Sequence, residues 1–138
     1  MFNAHEVTRE FEAALSEYTG APYVVCVNSC TMALRLAVQW SLRYGGGSPD
    51  GLVAIPKRTY VSVPMSIIHA GGKPIFRDEA WVGAYRLRPL LVWDSARWFT
   101  SCWYSRCLDG FQCVSFHASK TLGLEQGGAI LHDNPRAD

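Results

Sequence analysis

Six short apolar runs, separated by helical patterns and glycine-rich loops, constrain the fold of this chain most strongly. They lie at residues 23–27, 52–56, 74–76, 90–93, 111–116 and 127–131. Since a strand that is apolar throughout is buried on both of its faces, these runs predict strands that helices cover from each side. The sequence therefore predicts an α/β fold with a mainly parallel sheet, in a single domain over residues 1–138.

Three segments before and between these runs have a helical pattern. Asn3 and Glu6 have the spacing of a helix N-terminal cap, and apolar residues recur on one face until Gly20. A second helix is predicted over 31–44, before a glycine-rich loop, and a third within 60–72. The helices alternate with the strands, which is the order expected of an α/β domain.

The charge balance excludes several classes of partner. A net charge of +1, with 18% charged residues, provides no basic surface for nucleic acid or an anionic membrane. The start of the chain lacks the pattern of a secretory leader, and no apolar stretch is long enough to span a bilayer. The five cysteines have no paired spacing, so we expect reduced thiols and no metal site. These features predict a cytoplasmic protein.

Polar residues follow several predicted strands, at the edge where an open parallel sheet binds its ligands. Ser29 and Thr31 begin the second helix, where free N–H groups suit a phosphate, although both residues are also common helix caps. Tyr60 either forms a ring platform or belongs to the core. Asp94 either faces a ligand or caps the next helix, and Lys120 either has a chemical role or is a surface charge.

Lysine is rare in this chain, which has three lysines and ten arginines. A lysine amine forms a Schiff base with an aldehyde, whereas a guanidinium group does not. Lys120 would share one edge of the sheet with a phosphate cradle, an aromatic ring and the Asp94 carboxylate. Together these groups are the parts needed to bind pyridoxal 5'-phosphate, so the sequence predicts that cofactor.

Four segments resemble the DegT/DnrJ/StrS group of sugar aminotransferases, which have the type I fold of pyridoxal-phosphate enzymes. In chain order they are FEAALSEYTGAPYVVCVNSCTMALRLAV, VAIPKRTYVSVPMSIIHAGGKPIFRD, VWDSA and CVSFHASKTLGLEQGGAIL. The resemblance implies a reduced version of the large domain of that fold, without the small C-terminal domain. It also implies a homodimer with a small-molecule amino donor and a keto acceptor, such as a nucleotide-linked sugar.

The resemblance implies cofactor-binding roles for eight residues: Ser29, Cys30, Thr31, Tyr60, Asp94, Ala96, Ser115 and Lys120. Lys120 would be catalytic and form the Schiff base, and Asp94 would pair with the pyridine nitrogen. Tyr60 and Ala96 would cover the two faces of the ring. The remaining residues would hold the phosphate: Ser29, Thr31 and Ser115 through their hydroxyls, with the backbone of Cys30 close by.

The chain also departs from the family pattern. Arg97 stands where a glutamine is usual, and Glu125 where a glycine is usual. Parts that supply the family's substrate pocket are absent, so two alternatives stay open: a non-catalytic module that binds the cofactor, and a structural or interaction protein. A tryptophan-rich stretch is expected to form the dimer surface; its tryptophans are Trp81, Trp93, Trp98 and Trp103.

Overall fold

The computed structural model describes residues 3–107 and 109–138, except for the side chain of Cys107. Four helices are present in this part: α1 (Ala4–Thr19), α2 (Cys30–Tyr44), α3 (Ser62–His69) and α4 (Trp103–Cys107). The strands are β1 (Tyr23–Val27), β2 (Leu52–Pro56), β3 (Lys73–Arg77), β4 (Tyr85–Arg86), β5 (Val92–Asp94), β6 (Phe111–Ser115) and β7 (Gly128–His132). All six predicted strands and all three predicted helices are found, whereas β4 and α4 had no sequence prediction.

The local sequence explains where the first helices begin and end. The Asn3 side chain accepts a hydrogen bond from the N–H of His5 and caps α1. Gly20 ends the same helix in the left-handed conformation, with φ of 79°, which glycine adopts without a steric penalty. Ser29 caps α2 by accepting a hydrogen bond from the N–H of Met32. The predicted helix cap at Asn3 is therefore confirmed.

The α/β class is confirmed, but the prediction of a mainly parallel sheet is not. The main sheet has the order β1-β7-β6-β5-β4, in which only β5 and β6 are parallel, and β2 pairs with β3 in a separate parallel sheet. Backbone hydrogen bonds between Ala54 and Arg88 link the two sheets. The apolar runs indicated burial on both faces, which does not determine strand direction. No helix crosses over between β6 and β7 in this part of the chain, so β7 returns antiparallel to β6.

Helices cover both faces of the main sheet, as the apolar strands predicted. On one face, α2 buries Val38 in a core with sheet residues such as Val92 and Ile130, and α3 adds Ile67 to this core while it packs against α2 and β3. On the other face, α1 and α4 pack Leu15 and Trp103 against Val114, Ala129 and Leu131. Alternate residues of β7 thus enter different cores, because successive side chains of a strand point to opposite faces.

Within the described residues, no helix is long and apolar enough to cross a membrane.

The tryptophan-rich stretch does not form the exposed apolar surface that the sequence predicted. Trp103 is only 3% exposed and belongs to the core between α1, α4 and the sheet. Trp81 and Trp93 are partly buried, which leaves Trp98 as the single exposed member of the set. The short helix α4 turns Trp103 inwards, and no sequence pattern had indicated that helix. These aromatic residues serve the core more than the surface.

Candidate functional site

A cavity of about 510 Å³ opens where β1, β5 and β6 end, next to the start of α2. Its volume lies in the range of small-molecule sites in proteins. All eight residues that were predicted to bind the cofactor line it: Ser29, Cys30, Thr31, Tyr60, Asp94, Ala96, Ser115 and Lys120. Residues separated by 91 positions in the sequence, Ser29 and Lys120, therefore meet in one place.

The start of α2 forms the polar end of this cavity. The first N–H groups of a helix have no carbonyl partner within it, and the residues that carry the first two of α2, Cys30 and Thr31, line the cavity. The hydroxyl groups of Ser29, Thr31 and Ser115 lie in the same wall. Backbone N–H groups, hydroxyls and the positive end of the helix dipole together suit a phosphate.

Close packing of β7 against α2 depends on a glycine. A Cβ atom at Gly128 would lie 2.6 Å from the backbone nitrogen of Cys30 and 2.8 Å from the carbonyl oxygen of Val114. Both distances are far below ordinary contact, and both partners are backbone atoms that cannot turn away. Glycine is therefore required here for the helix start and the strand to meet behind the cavity.

Asp94 ends β5 and is only 8% exposed, with its carboxylate in the cavity wall. Its Oδ1 accepts a hydrogen bond from the N–H of Ala96 at 3.0 Å, and its Oδ2 accepts one from the Tyr85 hydroxyl at 2.7 Å. Burial raises the pKa of Asp94, while the hydrogen bond from Tyr85, that from Ala96 and the charge of Lys120 each oppose the rise. A cationic N–H group in the cavity would complete the environment of this carboxylate.

Lys120 is partly buried and lines the cavity on a loop between β6 and β7. Its backbone N–H donates to the carbonyl of His117 at 2.8 Å, which fixes the turn that presents the side chain. Within the part of the chain that the structure describes, it is the single lysine or arginine in the cavity lining. Lys57, by contrast, pairs with Asp78 at 2.8 Å on an exposed surface.

The thiol of Cys30 is also buried, near Asp94 and Lys120. Its Sγ donates to the carbonyl oxygen of Cys113 at 3.5 Å. Burial and the nearby Asp94 charge raise the pKa of this thiol, and the charge of Lys120 only partly opposes them. Cys30 is thus a neutral part of the cavity wall, and Lys120 is the amine in the lining.

Tyr60 lies at the rim of the cavity and is 74% exposed. It follows β2 in the loop before α3, and its ring covers no other aromatic ring in the described residues. The predicted stacking role therefore requires a ligand or another chain beside it. Ala96 lies elsewhere in the lining, so the two residues that were predicted to flank a ring both belong to the cavity.

The two atypical positions lie apart from this lining. Arg97 and Glu125 are both exposed, and neither is among the residues that surround the cavity. The unusual arginine is therefore an exposed residue outside the cavity lining. In the described residues there is also no group of three or more His, Cys, Asp or Glu side chains that could bind a metal ion.

Sequence reasoning missed Tyr85 and Thr59, which support Asp94 from behind. The hydroxyl of Thr59 is hydrogen-bonded to that of Tyr85, which in turn donates to Asp94. Tyr85 belongs to β4, a strand of two residues that is too short to produce an alternating pattern. Other lining residues that were missed are Asn28, Leu34, Ser62, Val63, His117, Ser119 and Gln126. Several of these residues are next to predicted site residues in the sequence, and that proximity was the one signal by which they could have been found.

The amino-terminal part of the chain matches a known family. Residues 2–82 fit the model of the DegT/DnrJ/EryC1/StrS aminotransferase family. The chain belongs to this family. The match includes Ser29, Thr31 and Tyr60, whereas Asp94 and Lys120 lie beyond it. At those two positions the likeness to solved structures bears on the fold alone.

One curated relative is the spore coat polysaccharide biosynthesis protein SpsC of Bacillus subtilis. It is 39% identical over 70 residues, which are 51% of this chain and 17% of the relative. Two solved structures resemble most of the fold. DesI, determined in the presence of its TDP-sugar product, has a TM-score of 0.71 at 20% identity, over 98% of this chain and 43% of DesI. NtdA of Bacillus subtilis, with bound cofactor PMP, has a TM-score of 0.70 at 18% identity, over 94% of this chain and 38% of NtdA.

The chain thus spans less than half the length of each of these proteins. The likeness to DesI and NtdA extends through β5, β6 and β7, because it covers nearly the whole of this chain. At these identities it supports the fold of the segments that carry Asp94 and Lys120. It leaves the roles of the two residues as predictions.

Proposed function

We propose that this protein binds pyridoxal 5'-phosphate through Lys120 and acts in the manner of a sugar aminotransferase. The observation that carries the proposal is the common cavity of Lys120, Asp94 and the start of α2. The donors suit the cofactor at each end: hydroxyl and N–H groups for a phosphate, and a buried carboxylate for a pyridine nitrogen. We further propose that residues 1–138 form one cofactor-binding unit.

When bound, the cofactor would supply an electron sink and a carrier for the amino group of a transamination. The N–H groups of Cys30 and Thr31, with the hydroxyls of Ser29 and Ser115, would hold its phosphate. Asp94 would keep a proton on the pyridine nitrogen through its carboxylate. Tyr60 and Ala96 would flank the ring.

Lys120 has two tasks in this proposal. Its Nζ atom would attach to the cofactor aldehyde, which needs a neutral amine. Once an amino donor has released it, the same Nζ would accept the α-proton of the donor and return it to a neighbouring carbon. The charge of Lys120 lowers the pKa of Asp94, so the two groups interact electrostatically across the cavity.

We propose a nucleotide-linked keto sugar as the acceptor. The support is indirect: the family is one of aminotransferases, DesI was solved with a TDP-sugar product, and SpsC takes part in polysaccharide biosynthesis. The cavity opens to solvent beside the exposed Tyr60, which leaves space for a bulky substrate. An amino acid is the expected amino donor.

Reconstitution with pyridoxal 5'-phosphate tests the cofactor proposal. We expect the mixed sample to gain a visible absorption band that borohydride removes, with the cofactor then fixed covalently to one peptide. Mass spectrometry of the digested protein should locate the label at Lys120, since only three lysines are present. Absence of the band after incubation at millimolar cofactor, or a label confined to other amines, would contradict the proposal.

A second candidate is a protein that holds the cofactor but does not turn over. The exposure of Tyr60 favours it, because one side of the cavity is open to water in a single chain. Exchange of the amino-acid α-proton for deuterium separates the two candidates. Exchange with at least one amino acid supports transamination, and cofactor binding without any exchange supports the second candidate.

We propose a homodimer, with the partner chain placed along α3. Three exposed apolar residues, Val61, Met65 and Ile68, have the spacing of one helical face there and are 68%, 43% and 50% exposed. Tyr60 adjoins them at the cavity rim. A second copy that covers this face would therefore also close the open side of the cavity.

Sedimentation tests this arrangement. We expect the wild type to be dimeric at micromolar concentration, and Met65→Asp to be monomeric because a charge would be buried in the interface. Val7→Asp is a matched control, since Val7 is 45% exposed on α1, away from the proposed face. A wild-type monomer, or a Met65→Asp dimer as stable as that of the wild type, would contradict the proposed surface.

A further inference from the structure

Tyr85 lies opposite Asp94 on the neighbouring strand. It begins β4, which pairs antiparallel with β5 in a register that places Tyr85 opposite Asp94. Residues that face each other across antiparallel strands have their side chains on the same side of the sheet. Tyr85 is 5% exposed and stands outside the cavity lining, behind the carboxylate.

The hydroxyl groups of Thr59 and Tyr85 form a directed chain to Asp94. The Tyr85 hydroxyl donates its one proton to Oδ2 of Asp94 at 2.7 Å. Thr59 must therefore be the donor in its own hydrogen bond with Tyr85, because a phenol has no second proton to give. Since the N–H of Ala96 holds Oδ1, each oxygen of the buried carboxylate has a donor.

Trp81 and Tyr85 also hold the loop that carries Tyr60 in place. The Nε1 atom of Trp81 donates to the carbonyl oxygen of Arg58 at 2.9 Å. The ring centroids of Trp81 and Tyr85 are 4.7 Å apart, so these two side chains pack together beneath the loop. The hydrogen bond from Thr59 to Tyr85 adds a second connection next to Tyr60. The loop and the carboxylate are thus tied to one pair of aromatic residues.

We propose that Tyr85 is a positioning residue for Asp94: supported by Thr59, it keeps the buried carboxylate ionised and directed into the cavity. The inference rests on the proposed function, in which Asp94 faces the ring nitrogen of the cofactor. Without the Tyr85 proton, Oδ2 of this 8% exposed carboxylate would lose its hydrogen-bond donor. The carboxyl group would then bind a proton more readily and hold a pyridinium less well.

Several groups besides Tyr85 act on Asp94 and must be distinguished from it. Lys120 lowers the pKa of Asp94 through its charge, and the N–H of Ala96 lowers it through a hydrogen bond. The thiols of Cys30 and Cys113 are close enough for Asp94 to raise their own pKa values, and burial keeps both of them neutral. Tyr85 is likewise neutral, since burial and the charge of Asp94 raise its pKa. The phenol therefore remains a donor at physiological pH.

The test is a pH titration of the Asp94 carboxyl group in cofactor-free protein, followed by NMR with carbon-13 in the aspartate side chains. Asp94→Asn identifies the signal. We expect Tyr85→Phe to increase the proton affinity of Asp94 about tenfold, the effect of one hydrogen bond to a charged group. Thr59→Val should change it in the same direction by less, since it keeps the tyrosine.

Tyr104→Phe is the matched control. Tyr104 is 6% exposed and donates its hydroxyl proton to the carbonyl of Gly110 at 2.7 Å, in the other core of the molecule. Loss of the Tyr104 hydroxyl group should leave the titration of Asp94 unchanged. An unchanged titration in Tyr85→Phe and Thr59→Val would overturn the inference, as would an equal change in Tyr104→Phe.

Cofactor titration separates this inference from the proposed function. We expect Tyr85→Phe to bind pyridoxal 5'-phosphate about tenfold more weakly than the wild type, with the difference largest where Asp94 is protonated only in the variant. A wild type that binds no cofactor contradicts the proposed function, whatever the carboxyl titration gives. Equal cofactor affinity in a Tyr85→Phe variant with altered Asp94 titration contradicts the link between the two.

Discussion

Lys120→Arg is expected to abolish covalent capture of pyridoxal 5'-phosphate by borohydride. Arginine keeps the positive charge near Asp94, but its guanidinium group remains protonated and does not form a Schiff base. The expected change is complete loss of the reducible attachment, measured as the cofactor label per chain by mass spectrometry. Because the charge is retained, the loss would report on the amine itself.

Lys57→Arg and Lys73→Arg are the matched controls, since they alter the only other lysines. Lys57 pairs with Asp78, an interaction that arginine can keep, and Lys73 is exposed at the start of β3. Both variants should be labelled to the same extent as the wild type. Undiminished labelling of Lys120→Arg would place the reactive amine elsewhere. Circular dichroism should show the same helix content in all three variants.

The positions that the sequence predicted best are those at the ends of apolar strands. Asp94 directly follows β5 core residues, and Ser29 follows β1, so a strand pattern and one polar residue were enough to place them in the site. Lys120 lies further from its strand, and its rarity drew attention to it. The cavity brings all three together because β1, β5 and β6 run in the same direction and end at the same edge of the sheet.

Strand direction and the supporting residues could not be predicted for a physical reason. Apolar runs report burial, which is similar for the parallel pair β5–β6 and the antiparallel pair β6–β7. The residues that support Asp94 depend on long-range contacts: Thr59, in the loop after β2, is 26 positions from Tyr85, which belongs to β4. Neither Thr59 nor Tyr85 lies in a segment with a periodic apolar pattern, so their contact is seen only in the three-dimensional structure.

Asp94→Asn is expected to affect stability and cofactor affinity in opposite directions. Asparagine has nearly the shape of aspartate and keeps an oxygen for the N–H of Ala96. Its amide can donate to Tyr85, whose hydroxyl can then donate to Thr59, so the local hydrogen bonds survive. What changes is the negative charge, which is costly to bury in the empty cavity and needed when a pyridinium is present.

Without cofactor, Asp94→Asn should be more stable than the wild type by about 1 kcal/mol at pH 7, because burial disfavours the charged carboxylate more than its two hydrogen bonds and the charge of Lys120 favour it. The sign follows from the pKa of Asp94, which folding raises above its ordinary value of 3.8. Stability from such a group is present below that ordinary value and is lost as the pH rises through the folded-state pKa. The difference between the two proteins should therefore disappear as the pH falls towards 4, as measured by urea unfolding.

When cofactor is present, the wild type should be the favoured protein, because it binds the cofactor more tightly than Asp94→Asn does. Loss of the charge-assisted hydrogen bond to the pyridine nitrogen is expected to weaken cofactor binding about 10- to 100-fold, as measured by spectrophotometric titration. Asp78→Asn is the control, because Asp78 is exposed and is not part of the cavity lining, and it should change neither quantity. If Asp94 served only as a cap for the following turn, Asp94→Asn would bind cofactor as tightly as the wild type. A buried carboxylate that lowers the stability of the empty protein and raises its affinity for a cation is instead the behaviour of a binding residue, because the cost of burying the charge is recovered only when the ligand is present.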